Sequence, residues 1–279
     1  MRYVVAVSGG VDSVVLLDMV AQEVVPQRLI VAHFDHGIRP ESADDATFVK
    51  NLAQQYSLGF ETKREELGAG ASEDLARERR YTFLRDVAKR YSATIMTAHH
   101  ADDIVETIAI NMTRGTGWRG LAVLDSPDIE RPLLDKTKAE LIEYAKENLL
   151  EWHEDATNTD TKYLRNGFRQ KLVGFDSESK ELLRLYRKRQ IALKKQIDSE
   201  IKGLVQAPYS RYLLTNVPDV TALELLRGIL IIETGTGATR PQLERMLLAV
   251  KTYRPGQTFD VGKAHVLRFS RSDFVVENR

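Results

Sequence analysis

The first 150 residues alternate between two patterns of apolar and polar positions. Short runs rich in Val and Ile stand at Tyr3–Val7, Leu29–Phe34, Phe60–Lys63 and Thr94–Ala98, with a weaker one at Glu130–Leu134. Between them, at 12–24, 43–57, 73–91, 102–113 and 138–149, apolar residues recur every three or four positions. The runs predict strands and the periodic stretches predict amphipathic helices. Strict alternation of the two predicts an α/β fold with a parallel sheet covered by helices. Ligands of such sheets bind outside the carboxyl ends of the strands. The segments of interest are therefore Ser8–Ser13, Asp35–Pro40 and His99–Asp103.

The pattern changes after residue 150. Residues 152–176 are polar and irregular, with one short helical stretch near 163–173. A long amphipathic segment follows at 178–203. Its apolar positions Tyr186, Leu193, Ile197, Ile201 and Leu204 keep helical spacing, and Arg184, Lys188, Lys195 and Lys202 run along another face. It predicts a connector helix. Two further helices, 221–233 and 240–251, precede three short strands near 257–261, 264–270 and 273–277. Thr239-Arg240-Pro241-Gln242 fits a capping box that fixes the start of the second helix. The predicted organisation is a catalytic domain at 1–176, a basic connector at 177–214 and a small α+β domain at 215–279.

Composition narrows the chemistry. The 279 residues are 43% apolar, enough for a substantial core. They include no cysteine, which excludes disulfides, thiolate metal sites and a cysteine nucleophile. The six histidines show no zinc-helix spacing. No apolar run reaches membrane-span length, and the chain enters a strand immediately after Met1-Arg2 without a signal-peptide pattern. A soluble cytoplasmic protein is expected. The net charge of zero conceals a division: residues 1–160 hold 18 Lys and Arg against 28 Asp and Glu, while 161–279 hold 22 against 12. Much of the basic excess lies at 161–215, with 13 against 5. A basic second half is a candidate surface for a polyanion such as nucleic acid. Mutual attraction of the two halves is the simpler alternative.

Candidate chemistry gathers at the strand ends. Ser8-Gly9-Gly10-Val11-Asp12-Ser13 lies where a strand meets a helix N-terminus, a place suited to phosphate. The glycines allow close backbone approach, and Ser8 and Ser13 offer hydroxyls. Asp12 beside phosphates makes sense if it holds a bridging Mg²⁺; the alternative is a plain turn and helix cap. His33-Phe34-Asp35-His36-Gly37-Ile38-Arg39 ends the second strand with polar side chains where a cleft is expected. Ser72 is placed to cap the next helix. Extending that helix's apolar stripe backwards reaches Arg80, Arg77 and Glu73, so either the arginines contact phosphates or neutralise departing pyrophosphate, or Glu73 forms a buried ion pair with Arg77. In His99-His100-Ala101-Asp102-Asp103-Ile104-Val105-Glu106, the first-turn acids are ordinary dipole partners. Asp103 and Glu106, three apart, also form an acidic pair suited to Mg²⁺ or a cationic substrate. Arg114 opens a glycine-rich stretch at the end of that helix.

SGGVDS resembles the PP-loop of the N-type ATP pyrophosphatases, which cleave ATP to AMP and pyrophosphate. Taken with HFDHGIRPES at 33–42, EDLARERRYTFL at 73–84, TAHHADDIVETIAINMTRGTGWRGL at 97–121, RPLL at 131–134 and DATNTDTKYLRNGFR at 155–169, the chain resembles the tRNA(Ile)-lysidine synthase family over most of residues 1–170. The resemblance implies a ligase that adenylates the wobble cytidine of a CAU-anticodon isoleucine tRNA and then joins free lysine to C2. It implies ATP binding by Ser8, Gly9, Gly10, Val11, Asp12 and Ser13 with His33 and His99, and a Mg²⁺ at Asp12. Lysine binding falls to Asp103 and Glu106, and catalysis to Asp12, Asp103, Glu106 and Arg77. Contacts to tRNA fall to Arg114, Arg165, Arg169, Lys188 and Lys195. A homodimer is a further expectation. After the connector one small module is expected, where some longer members carry a further C-terminal domain. The alternatives are another PP-loop adenylating enzyme, such as an ammonia-dependent NAD synthetase, and a non-catalytic tRNA-binding protein. Relatives that transfer sulfur or use glutaminase chemistry need cysteine, which this chain lacks.

Overall fold

A computed structural model of the protein describes residues 1–37, 42–68, 71–153, 176–262 and 264–279. They divide into two units, Met1–Ile191 and Ala192–Arg279. The first unit holds the predicted sheet. Strands β1 (Arg2–Ala6), β2 (Leu29–Asp35), β3 (Gly59–Arg64), β4 (Ala93–Met96) and β5 (Ile129–Glu130) pair in parallel in the order β3-β2-β1-β4-β5. Helices α1 (Val11–Glu23), α2 (Ser42–Gln55), α3 (Glu73–Tyr91), α4 (Ala101–Thr113) and α5 (Lys138–Glu147) connect and follow them.

The period of two along β1 explains the layering. Val5 joins Val14, Leu17, Val49, Leu52 and Leu141 in a core against α1, α2 and α5. Its neighbour Val4 joins Ile30, Tyr81, Leu84, Val87 and Ile95 in a core against α3. All seven residues of β2 are buried, as expected of an inner strand of a parallel sheet covered on both faces. Ser72 caps α3 as predicted, its hydroxyl accepting from the Leu75 amide at 3.2 Å, an interaction worth about 1 kcal/mol. The fifth strand is shorter than the predicted Glu130–Leu134. It ends at Glu130, and Pro132 beyond it has no N–H to extend the ladder.

Helix α6 (Ser177–Leu204) lies partly in each unit. In the first, Leu183 packs on Ile104, Ile108 and Val123. Arg187 is buried there and donates from Nε to the Val123 carbonyl at 2.7 Å and from Nη2 to that of Leu124 at 3.1 Å. In the second unit Ile197 packs against the core and Ile201 is inside it. The predicted apolar stripe is therefore only half right. Ile197 and Ile201 are covered, but Tyr186, Leu193 and Leu204 are exposed, and polar Arg187 and Gln190 are buried instead. Each half of the helix answers to a different core, so one stripe does not serve both.

The second unit contains β6 (Tyr209–Ser210), α7 (Arg211–Asn216), α8 (Asp219–Thr234), α9 (Arg240–Thr252), β7 (Thr258–Val261), β8 (His265–Phe269) and β9 (Asp273–Asn278). Its strands form an antiparallel sheet in the order β6-β9-β8-β7. Leu226 and Leu230 of α8 and Leu243 and Val250 of α9 share a core with Leu267, Phe269 and Phe274 of the sheet. The predicted capping box is present: the Thr239 amide donates to Gln242 Oε1 at 2.8 Å. Neither β6 nor α7 was predicted, since each is too short to display a period.

Candidate active site

The order of the first sheet places a crevice. From β1 the chain builds outward through β2 and β3, then returns to lay β4 on the other side of β1. Loops leaving β1 and β4 diverge at that point, the usual ligand position in open parallel sheets. They are Val7–Gly10 and Thr97–His100, two of the segments singled out in the sequence.

The first loop is shaped by one hydroxyl. Ser13 Oγ, buried at the start of α1, accepts from the amides of Ser8 and Gly9 at 3.1 and 3.2 Å and donates to the Gly10 carbonyl at 2.8 Å. Ser8 Oγ lies 3.2 Å away. Ser13 was expected to offer its hydroxyl to phosphate; in the structure that hydrogen serves the loop itself. Val11 likewise lends no side chain, because its isopropyl group is part of the core. Its amide and that of Asp12 find no acceptor among the described residues, as befits the free N-terminus of a helix. Gly9 takes φ +97°, where a side chain would be strained, and a Cβ would stand 3.5 Å from the Phe48 ring. The loop is pinned from behind by the His153 amide, which donates to the Gly9 carbonyl at 3.0 Å.

Beside the loop lies a network of charge. Lys138, the first residue of α5, donates from Nζ to Asp12 Oδ1 at 2.7 Å, and its amide donates to Asp102 Oδ2 at 2.8 Å. Lys180 Nζ is 3.4 Å from Asp102 Oδ1. His100 sits among three carboxylates, 3.8 Å from Asp12, 3.6 Å from Asp102 and 3.6 Å from Asp103. Burial opposes its charge, but Asp102, Asp103 and Asp12 together outweigh it and raise its pKa. The reciprocal effect, led by His100 with the Lys138 amide and Lys180 assisting, holds Asp102 well below the usual carboxylate range. Asp103 and Glu106 are both buried. One Asp103 oxygen caps α4 by accepting from the His100 amide at 2.9 Å.

His99 is in the opposite state. Burial, with Arg80, Arg131 and Arg77 adding to it, pushes its pKa down to about 3. Thr97 Oγ1 and His99 Nδ1 are 2.9 Å apart. The arginines gather around Tyr81: the guanidinium carbons of Arg77 and Arg80 stand 4.9 and 5.3 Å from its ring centroid. His33 turns inward, its Nδ1 2.9 Å from the Val7 carbonyl, and so braces the loop from β2. No side chain of Glu73 is described, which leaves its expected pairing with Arg77 outside the described residues.

Hard oxygen donors suit Mg²⁺, which usually takes one or two protein carboxylates and completes its shell with water and substrate phosphate. Asp12 at the mouth of the loop fits that pattern. Among the described residues no group of three His, Cys, Asp or Glu side chains could hold a metal. The Asp12 carboxylate therefore fits an ion shared with a substrate phosphate.

Of the candidate tRNA contacts, Arg114 ends α4 and is exposed. Lys188, in the first unit, is exposed and 3.2 Å from Asp135; Lys195 is exposed in the second unit. Arg165 and Arg169 lie outside the described residues. Sequence reasoning missed Lys138, Lys180 and Arg131. A signal for Lys138 was available. Thr137-Lys138-Ala139-Glu140 is a capping box following the fifth strand, and it therefore opens another helix at the same edge of the sheet.

The family sequence model for the PP-loop domain matches residues 1–175. A tRNA(Ile)-lysidine synthase of Thermosipho africanus is 39% identical over 183 residues, covering 62% of this chain and 43% of that protein. One from Geobacter sulfurreducens is 39% identical over 187 residues, 62% of this chain and 40% of its own length. This chain thus spans less than half of either relative. One from Novosphingobium aromaticivorans is 32% identical over 272 residues, 90% of this chain and 82% of that protein. Among solved structures, the U34-tRNA thiolase NcsA from Methanococcus maripaludis with its [4Fe-4S] cluster superposes with a TM-score of 0.56 at 18% identity, covering 68% of this chain and 72% of that one. That likeness concerns the fold alone. The PP-loop match over more than half of the chain, and the Novosphingobium match over most of both proteins, lead to one conclusion: the chain belongs to the tRNA(Ile)-lysidine synthase family of PP-loop proteins.

Proposed function

We propose that this protein is a tRNA(Ile)-lysidine synthetase. ATP adenylates O2 of the wobble cytidine in a CAU-anticodon isoleucine tRNA: the oxygen bonds to the α-phosphorus, and the bond from phosphorus to the pyrophosphate oxygen breaks. The ε-amine of free lysine then attacks C2, loses a proton and expels AMP. The observation that carries this reading is the pairing of a phosphate loop at the sheet's crossing point with a buried acidic wall beside it. The 82% coverage of the Novosphingobium relative supports it.

In this reading the loop amides and the α1 N-terminus hold the ATP phosphates. Asp12 holds Mg²⁺, which supplies charge neutralisation when bound, and Arg77 supports a phosphate. Asp103 and Glu106, both buried beside the loop, receive the lysine. A carboxylate there also accepts the proton the amine must lose. His33, buried and braced on the Val7 carbonyl, and His99, held neutral chiefly by burial, line the nucleotide site. Arg114, Lys188 and Lys195, together with Arg165 and Arg169, contact tRNA, and residues 215–279 serve as a recognition module. Binding should weaken with salt as phosphate contacts are screened. Location in the cytoplasm and assembly as a homodimer belong to the same proposal. Among the described residues no helix is long and apolar enough to cross a membrane.

The test is incubation with ATP, labelled lysine and isoleucine tRNA transcripts differing only at the wobble base. Label should enter the CAU transcript alone, with one AMP and one pyrophosphate released per lysine. Pyrophosphate release on some other acceptor, with that transcript unlabelled, would refute the assignment.

A further inference from the structure

The phosphate loop of this chain contains no lysine, unlike loops in which a lysine follows the glycines and reaches the outer phosphates. The fold brings one from elsewhere. Lys138 stands 126 positions along the chain from Asp12, yet its ammonium lies 2.7 Å from Asp12 Oδ1. Its backbone is fixed independently. The amide is bound to Asp102, and the preceding Thr137 forms a reciprocal cap with Glu140, the Thr137 amide donating to Glu140 Oε2 at 2.6 Å. Only the side chain is free to adjust, and it is 41% exposed at the crevice.

Resting on the function proposed above, we infer that Lys138 is the loop's missing cation and binds the β- and γ-phosphates of ATP. An ammonium has three hydrogens. Asp12 takes one in the structure, which leaves two for phosphate oxygens. Asp12 places a negative charge where phosphates must approach, and Lys138 offsets it without leaving it. As the α-phosphorus transfers to the cytidine oxygen, the electron pair of the broken bond settles on pyrophosphate, and a preset cation there stabilises that charge. Lys138 is thus a substrate-contacting residue supplied by α5, not part of the loop's own scaffold.

The experiment is calorimetric titration of ATP and of AMP, each with Mg²⁺, into the wild type, Lys138→Met and Lys138→Arg. AMP has only the α-phosphate and serves as the internal control. Lys138→Met should weaken ATP by about tenfold or more, the scale of a lost charged hydrogen bond. AMP should change little, and Lys138→Arg should restore most of the ATP affinity. Equal weakening of ATP and AMP would overturn the inference, showing that Lys138 only props the site. So would unchanged or tighter ATP binding, showing that it merely neutralises Asp12. Because the side chain is partly exposed, the variants should fold, and Lys138→Arg retains the charge if the Met form does not. A wild type that binds neither nucleotide would fail the proposed function itself, a result distinct from failure of the inference.

Discussion

Asp18 offers the sharpest test of how the first unit is held together. It is buried in α1 and accepts three hydrogen bonds: Tyr56 Oη at 2.5 Å, Tyr144 Oη at 2.7 Å and Gln22 Nε2 at 2.8 Å. One carboxylate therefore ties α1 to α5 and to the end of α2. Each bond to a charged acceptor is worth about 1.5–3 kcal/mol. Asp18→Ala removes all three, yet two effects reduce the loss: the Tyr144 hydroxyl and Gln22 amide reach water, and the cost of burying the carboxylate vanishes. The expected net destabilisation is about 3 kcal/mol, or a fall in Tm of about 6–12 °C for a unit of this size. Asp18→Asn keeps one oxygen acceptor, and a tyrosine hydroxyl can accept from its amide, so about 1 kcal/mol is expected. Both tryptophans, Trp118 and Trp152, lie in the first unit, and urea unfolding followed by their fluorescence reads it directly. The pH dependence gives a second check. Burial first, and then Asp18, raise the Tyr56 and Tyr144 pKa values above 10. A group raised on folding adds stability that is complete below its unfolded pKa and is lost as pH rises toward the folded one. Stability should thus decline above about pH 10, less steeply in Asp18→Asn. An Ala variant within about 0.5 kcal/mol of wild type would refute the reasoning, since it would mean that all three donors find equal partners in water.

Other outcomes follow from the crevice. Asp12→Ala should stop pyrophosphate release, and near-normal turnover would remove Asp12 from the mechanism. Glu106→Gln should raise the KM for lysine at least tenfold while leaving the KM for ATP nearly unchanged, because a neutral amide loses a charge-assisted bond of about 1.5–3 kcal/mol; parallel loss in both would point to misfolding around α4. His100→Gln separates the charged pair by pH. The raised His100 pKa contributes stability that is full below about 6.5 and is lost as pH rises through the folded value. The lowered Asp102 pKa contributes stability above about 3.8 that is lost as pH falls through its folded value. The melting difference from wild type should therefore be largest between these limits and shrink toward alkaline pH; a difference independent of pH would show that His100 acts only by shape.

Much of the fold was legible in the sequence because its signals are local. Strands buried on two faces read as runs of Val and Ile, and Ser72, Thr239 and Gln242 mark helix starts through bonds made within a few residues. The phosphate loop was legible for the same reason. What escaped depends on contacts distant in sequence. Lys138 meets Asp12 across 126 positions, and nothing near Lys138 marks it beyond a helix start. Arg187 was not singled out in the sequence. It is buried because Leu124, held at φ +53°, and Val123 present carbonyls that its guanidinium completes. Helix periodicity assumes one partner along the whole length, and α6 has two. The loop-bracing bonds of the Ser13 hydroxyl were not legible either, because a motif identifies residue types and not where their hydrogens point.

The two adjacent histidines show how the site separates its charges. His99 and His100 have the same intrinsic chemistry and differ by one position, yet burial and nearby arginines hold the first neutral while three aspartates favour the charge on the second. Burial is the first cause of the His99 shift, and the charges beside the two rings differ: Arg80, Arg131 and Arg77 oppose a charge on His99, whereas Asp102, Asp103 and Asp12 favour one on His100. The end of β4 thus stands between a basic group and an acidic group of side chains. The proposed reaction brings an anionic nucleotide to the oxygen, and a cationic amine to the neighbouring carbon, of one base, and it needs such a division. Without it each substrate would seek the other's place, and the amine would pair with phosphate instead of attacking. Reversing one wall should therefore damage more than the binding of one substrate. Arg80→Glu is expected to raise the His99 pKa and to weaken ATP. It should also create a competing lysine site, seen as inhibition at high lysine concentration that the wild type lacks. Weaker ATP binding with unaltered lysine dependence would mean that the two walls act independently and that the division has no role in ordering the substrates.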